Sequence, residues 1–489
     1  MSDILYDQWE PVIGLEIHVQ LNTKTKLFSR SLNQFGAEPN TNIDPINTAQ
    51  PGVLPVLNEE AVKKAIQFGL AIGAQINRFS TFDRKSYFYP DCPRNFQITQ
   101  FFHPIIQGGT ITCDVEGKTK HFKVDRAHLE DDAGMLKHFS SFAGVDYNRA
   151  GVPLIEVVSE PMMHSPKDAS AYATALKAIM QYLGVADCNM EEGGLRFDVN
   201  ISVRPKNDKT LRPKVEIKNM NSFHNMELAI ESEIRRQIQA YSLNPNEEFA
   251  KAIEPGTYRF DLAQRKTVMM RRKEEAHDYR YFHEPDLVPL MIEEKTIELL
   301  KNSLPELPHE RYLRYTTELK LAPDAAAILI NDKYTSDFFE EALSLVKKPS
   351  GLCNWLIVEF YGRLKEMGKT LEQSGIKAVH VGHLVQMIED QVITGKIGKL
   401  VADDMLKTPG KDSKDIVKEN PSYQPLDDSS IIEPIVDAVL EQNKQSIIDY
   451  KAGRNKALAY LVGQVMKETK GKASPAIVNQ LILKKIEES

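Results

Sequence analysis

Hydrophobic and other residues alternate one by one through Ile13-Gly-Leu-Glu-Ile-His-Val-Gln-Leu21, with Ile13, Leu15, Ile17, Val19 and Leu21 falling on one side. A period of two predicts a strand, and it gathers Glu16, His18 and Gln20 on the other face, successive ones about 7 Å apart. The pattern returns in Leu195-Arg-Phe-Asp-Val-Asn-Ile-Ser-Val203, where Arg196, Asp198, Asn200 and Ser202 share a face, and again at Lys214, Glu216 and Lys218. Up to about residue 293 such runs mix with Gly/Pro turns and stretches of helical period near 59 to 73, 166 to 184 and 223 to 241. The second stretch has Ser165 as N-cap, Pro166 at the first helical position and Asp168 closing the box. From about 294 onward helical periods follow one another through Leu299 to Leu304, Ser336 to Val346, Cys353 to Met367 and Val379 to Gln391. The expected fold class is α+β: an antiparallel-sheet domain over 1–293, an all-helical domain over 294–408, then a linker (Pro409 to Asp428) and a small helical module within 409–489.

The 489 residues are 42% hydrophobic, enough for real cores. A net charge of −7 argues against nucleic acid as a partner if taken for the chain as a whole. The start, Met1-Ser-Asp-Ile-Leu-Tyr-Asp, has no apolar core of a signal peptide, and no apolar run approaches the roughly 18 residues of a membrane span. A soluble cytoplasmic protein without membrane partners is expected. Cys92, Cys113, Cys188 and Cys353 are far apart and read as buried thiols, a lone catalytic cysteine being the alternative. A P-loop, a G-x-G-x-x-G fingerprint, an H-E-x-x-H helix and a Gly/Ser-rich nucleophile segment are all missing. Any ammonia used here comes from elsewhere.

Each polar face is open to two readings, a solvated side of a sheet or a site, but His, Asn, Asp and Arg in compact sets resemble a site's inventory. Two acidic clusters add to it, His128-Leu-Glu-Asp-Asp-Ala-Gly134 and the segment Asn148 to Pro161. Glu156 lies inside the apolar run Leu154 to Val158, where a carboxylate needs a cation. Either a base such as Arg149 pairs with it, or hard oxygen ligands and an imidazole hold Mg²⁺ or Mn²⁺.

Taken together, these segments resemble the B subunit of the tRNA-dependent amidotransferase family. The matching pieces are Val12 to Val19, Phe82 to Asp91, the two acidic clusters, Met190 to Asn200, Glu216 to Phe223 and Asp278 to Pro289, in order over nearly 300 residues; Lys456 to Lys472 also fits. The resemblance implies a cradle-like catalytic domain in a heterotrimer with an amidase subunit (A) and a small third subunit (C). It implies a ligase that uses ATP and Mg²⁺ to phosphorylate the side-chain carboxylate of misacylated Glu-tRNA(Gln) or Asp-tRNA(Asn) before ammonia converts it to the amide. Carried over by position, the metal ligands fall on Glu16, His18, Glu156 and either Glu130 or Asp131. The catalytic set is Glu16, His18, Lys85 and Arg196, and Lys85, Arg196, Asn200, Lys218 and Asn219 face ATP or the acyl-phosphate. Tyr87, Phe88 and Tyr89 either wall the pocket or pack beside Pro90. The segment Asn40 to Gln50 lacks the cysteines that bind zinc in many relatives, so no zinc is expected.

Charge resolved by segment reverses the global picture. Residues 411–450 carry four lysines against nine acids, a net of −5, whereas residues 451–472 carry six bases against Glu468 alone, a net of +5. On a helix from Asn455, Leu458, Leu461, Val462 and Val465 form one side, and Lys456, Tyr460, Gly463, Lys467 and Lys470 the other. By composition this side could equally be an ordinary solvated face; the resemblance implies that, together with Lys451, Arg454 and Lys472, it is a tRNA-binding surface. Two further classes stay open: a non-catalytic tRNA-binding scaffold, and a metal-dependent hydrolase built on the same ligands.

Overall fold

The computed structural model describes residues 7–243, 252–272, 278–423, 429–451, 453–469 and 473–488. Two compact units divide the chain, residues 1–311 and 312–489. The first is built on a sheet whose main path uses ten strands: β1 (Trp9–Gln20), β2 (Asp83–Ser86), β3 (Phe96–Thr99), β4 (Lys118–Asp131), β5 (Pro153–Ser159), β6 (Leu195–Pro205), β7 (Val215–Met220), β8 (Gly256–Asp261), β9 (Lys266–Arg272) and β10 (Phe282–His283). Their order is β9-β8-β7-β6-β1-β5-β4-β3-β2-β10. Along this path the pairs are antiparallel except β7 with β8. The first strand of the chain is therefore the middle of the sheet, flanked by β5 and β6.

Alternation decides which face is which. Ile13, Leu15, Ile17 and Val19 are fully buried and join one core with Tyr172 and Leu176 of the helix Pro166–Tyr182 and Met226 and Ile230 of the helix Phe223–Leu243. The Ser165 hydroxyl accepts the Asp168 amide at 3.0 Å, and Asp168, itself buried, accepts from Lys120 at 2.6 Å, so the expected cap is also a clamp onto β4. One sheet face is thus covered by helices, and the other carries the polar residues of β1, β4, β5 and β6.

Helix Glu294–Asn302 turns Ile297 and Leu300 towards this same core, so the unit continues past the point where strand signals fade. The segment Asn40 to Gln50 is fastened by amides, Asn40 Oδ1 accepting from Tyr147 N (2.8 Å) and Asn42 N donating to Asn148 Oδ1 (2.8 Å).

The second unit is helical, with two separate cores. One gathers Tyr315 to Tyr423, including a long helical run from Pro349 to Glu366 that widens to a π-type turn at Trp355–Phe360. The stretch 409–428 was expected as a linker, yet Ser413–Glu419 is a helix whose Ile416 and Val417 are buried in this core. Two apolar residues among many charges are a weak signal for so short a helix. The other core joins helices Ser429–Gln442, Asn455–Glu468 and Pro475–Glu488 through Val436, Leu461, Val465 and Ile482, and helix Lys444–Lys451 packs the partly buried Ile447 and Tyr450 against it. Among the described residues no helix is long and apolar enough to cross a membrane.

Candidate active site

Antiparallel register places His18 of β1 opposite Glu156 of β5, and Glu156 opposite His128 of β4. Glu130 stands two residues beyond His128, on the same face. His18 Nε2 lies 3.4 Å from Glu156 Oε2 and 3.6 Å from Glu130 Oε1; His128 Nε2 lies 3.5 and 3.6 Å from the same two carboxylates. One ligand atom each from His18, Glu130 and Glu156 fits within 4.8 Å. Burial by itself would lower the His18 imidazole, but hydrogen bonding and charge from Glu156, with the charge of Glu130, push it up to about 9. Burial pulls the other way on Glu156, where His128 and His18 prevail and keep it well below the carboxylate range.

A second set lies beside the first. Glu16, Asp198 and Glu216 also bring one carboxylate oxygen each within 4.8 Å, because Glu16 pairs with Asp198 in register and Asn200 with Glu216. Asn200 Nδ2 donates to Glu16 at 2.8 Å, and Lys218 Nζ reaches Asp198 at 2.8 Å and Glu216 at 2.6 Å. Burial and then the charges of Glu156 and Glu216 raise the Glu16 carboxyl, the behaviour of an acid short of positive charge. Both sets offer the hard, anionic oxygen donors that divalent cations such as Mg²⁺ prefer.

Lys85 of β2 is held over the Tyr279 ring at 4.9 Å; burial would lower its ammonium, but the carboxylates of Glu130 and Glu156 outweigh that and raise it. Arg196 donates to Asp132 Oδ2 at 2.9 Å, and Gln20 donates to the same oxygen at 3.1 Å. The Arg196 Nε is buried without a partner. His18, Lys85, Glu130, Arg196 and Asp198 line a cavity of about 210 Å³. Gly151 lines it too, at φ +87°, where a Cβ would fall 2.3 Å from Asn47 Oδ1, so a side chain is excluded there.

The expected metal set is therefore rearranged. Glu16 joins Asp198 and Glu216 rather than His18. Asp131 leaves the set, because alternation sends its side chain away from that of Glu130: it pairs with Arg94 and accepts the Ile98 amide at 2.9 Å. Arg149 does not pair with Glu156 either; it donates to the carbonyls of Ala133 and Gly134 beside Asp132. Asn219 lies on β7, its side chain outside the described residues. Of the three aromatic residues near Pro90, Tyr87 lines the cavity, whereas Phe88 is mostly exposed. His128, Asp132, Asp198 and Glu216 belong to the same motifs and faces, although the sequence pattern alone assigned them no role. The signal for His128 was its spacing of two from Glu130.

In the tail, Leu461 and Val465 are buried, while Lys456, Tyr460, Gly463 and Lys467 are exposed, as the helical period predicts. Lys451 and Arg454 are exposed as well, Arg454 lying 3.4 Å from Asp449. Lys470 and Lys472 lie outside the described residues.

The sheet face thus carries two carboxylate sets beside a half-buried lysine and an arginine oriented by Asp132, the inventory of a catalytic domain. Residues 11–298 match the GatB/GatE catalytic domain and residues 337–486 the GatB domain, so the chain belongs to the GatB/GatE family. It is 60% identical over 481 residues to the B subunit of the aspartyl/glutamyl-tRNA(Asn/Gln) amidotransferase of Protochlamydia amoebophila (strain UWE25), covering 98% of this chain and 97% of that one. The protein of the same name from Chlamydia abortus is 57% identical over 99% of both chains, and that from Chlamydia caviae 55% identical over 100% of both. The resemblance drawn from the motifs is the family these matches give.

Proposed function

We propose that this chain is the B subunit of a glutamine-hydrolysing aspartyl/glutamyl-tRNA(Asn/Gln) amidotransferase, and that its sheet face activates the misacylated tRNA with ATP. The side-chain carboxylate of Glu-tRNA(Gln) or Asp-tRNA(Asn) attacks the γ-phosphorus of ATP, and ADP leaves. Ammonia released by a separate amidase subunit then attacks the acyl carbon, and phosphate departs to leave the amide. A small third subunit completes the assembly.

The observation that carries this reading is the pair of adjacent carboxylate sets beside Lys85 and Arg196. Phosphoryl transfer asks a protein to position reactants and neutralise charge, not to supply a nucleophile. His18, Glu130 and Glu156 would hold one Mg²⁺ and Glu16, Asp198 and Glu216 a second. Bound there, the ions would polarise the transferring phosphoryl group. Lys85 meets developing charge on the phosphate, and Asp132 presents the Arg196 guanidinium to the cavity. Asn200 fixes the Glu16 carboxylate, and Lys218 bridges the Asp198 and Glu216 carboxylates.

The test combines the chain with its partner subunits, Glu-tRNA(Gln), ATP and Mg²⁺, and follows ADP and Gln-tRNA(Gln). ADP release should require the misacylated tRNA and fall sharply in Glu16→Gln. Release that ignores the tRNA, or persists unchanged in that variant, overturns the reading in favour of a tRNA-binding scaffold.

A further inference from the structure

Next to Lys85 begins a chain of aromatic rings that the proposed chemistry does not use. Tyr279, which carries Lys85 against its ring, lies 6.0 Å from Tyr281. Tyr281 stacks on Phe101 at 3.8 Å and 8° between planes; Phe101 meets Phe102 edge-on at 5.1 Å, and Phe102 meets His283 at 5.1 Å. The inner end feels the site directly, since the charges of Lys85, Glu156 and Glu130 all act on the Tyr281 hydroxyl. The outer end is open to solvent, with Phe101 and Phe102 each nearly half exposed, 47% and 46%.

Phe101 and Phe102 are fixed from beneath by one buried carboxylate. Asp83 Oδ2 accepts the backbone amides of Phe101 (2.8 Å) and Phe102 (3.0 Å), while its Oδ1 lies 2.7 Å from His283 Nδ1. The neighbouring Arg84 grips Glu284 with two hydrogen bonds of 2.7 and 2.9 Å, which pins β10 and its rings to the edge of the sheet. Two segments far apart in sequence are thus locked so that their rings form one surface leading from solvent to Lys85. Arg280, between the two tyrosines in sequence, is exposed.

We infer that this ring track is a stacking platform for unpaired nucleotides at the 3′ end of a tRNA, which it feeds toward the cavity so that the esterified amino acid arrives beside Lys85. The inference rests on the proposed function and adds to it the surface that receives the acceptor end. A run of rings with one stacked pair and exposed phenylalanine faces suits bases of any sequence, because every base has a π-face. A terminus common to many tRNAs needs that kind of recognition, in contrast to base-edge readout.

The experiment measures, for the assembled complex, Kd for tRNA(Gln) with its 3′ end intact and for the same tRNA with its unpaired 3′ nucleotides removed. Wild type should bind the intact form more tightly, by roughly ten-fold or more for the stacked bases. The double variant Phe101→Ala, Phe102→Ala should bind intact tRNA as weakly as wild type binds the trimmed form, with no further loss on trimming. Phe101→Tyr with Phe102→Tyr should restore the difference, which a merely structural role for these exposed rings does not require. Equal affinity of wild type for both tRNAs overturns the track while leaving the proposed function standing. So does an alanine variant that keeps the full dependence on the 3′ end, or one whose only defect is a raised KM for ATP, which would assign the rings to the nucleotide base. Failure of the wild-type complex to bind either tRNA sinks the proposed function itself.

Discussion

The sheet face and the tail helix use charge in opposite ways. Around His18, Glu130 and Glu156 the charged groups are buried or half-buried, lie within 3.4 to 3.6 Å of one another, and shift one another's protonation. On helix Asn455–Glu468 the cations Lys456 and Lys467 stand in solvent above the apolar seam of Leu461 and Val465. Interactions between groups removed from water are strong and set by geometry, whereas exposed charges act at long range and are screened. The first region should therefore be governed by single residues with large effects, and the second by the sum of small ones.

The largest effect should come from removing one carboxylate while keeping its shape. Glu156→Gln or Glu130→Gln should lower kcat for amide formation by roughly a thousand-fold, the scale of losing a preorganised electrostatic partner, with tRNA affinity unchanged. A loss below ten-fold in either variant, with the fold intact by circular dichroism, means that this set does not carry the chemistry. Next in size is Arg196→Lys. The Asp132–Arg196 bond is directional, and a lysine cannot present the same planar fork to the cavity; about a hundred-fold loss in kcat is expected. Asp132→Asn should reproduce much of it while touching no reactant.

The site residues were legible in the sequence because strand alternation is local: Glu16 and His18, Arg196 and Asp198, Glu216 and Lys218 each declare a face within a few positions. What joins them is not local. The register that sets His18 beside Glu156 and Glu156 beside His128 links segments far apart along the chain, and a one-residue slip would exchange every face. That is why one four-ligand site was expected where the structure has two sets, and why Asp131, adjacent in sequence to Glu130, was included although alternation turns it to Arg94. The tail helix shows the converse. Its amphipathic period is complete within fourteen residues, so its buried and exposed sides were readable directly. The helix Ser413–Glu419 was not, since of its three buried residues only Ile416 and Val417 are apolar and Ser413 is polar.

Buried charge outside the site obeys the same contrast. Lys26 is fully buried, with Nζ donating to the Asn42 carbonyl at 2.8 Å, and burial pushes its pKa down to about 8. An unfolded lysine titrates near about 10.4, so between those values the unfolded chain binds more protons and the Lys26 contribution to stability rises with pH, by roughly 3 kcal/mol in all. Below pH 8 both states are protonated and the burial penalty is felt in full. The buried thiols work the other way: burial raises Cys92, Cys113 and Cys188 to about 12, so their contribution falls once unfolded thiols ionise. The measurement is therefore a difference, the urea midpoint of Lys26→Met minus that of wild type at pH 7.5 and at pH 9.5. The difference should move in favour of wild type at the higher pH. An unchanged difference means the ammonium is solvated and the burial argument fails for it.

The smallest effects belong to the tail, as screened charges require. Lys456→Ala with Lys467→Ala should weaken tRNA binding by about ten-fold at physiological salt, with kcat at saturating tRNA unchanged, because exposed lysines contribute through the phosphate backbone. The slope of log Kd against log salt should become shallower by between one and two, the counterions of two lysines no longer being released. Arg454→Ala should do less, since Asp449 already lies 3.4 Å from that guanidinium and offsets its charge. Tyr460→Ala should weaken binding without changing the salt slope if the ring stacks on a base, and Tyr460→Phe should be neutral. A tail variant that lowers kcat while sparing both affinity and salt slope would overturn the division of labour, because exposed charges acting through screening cannot alter a step carried out by buried groups in direct contact on the sheet.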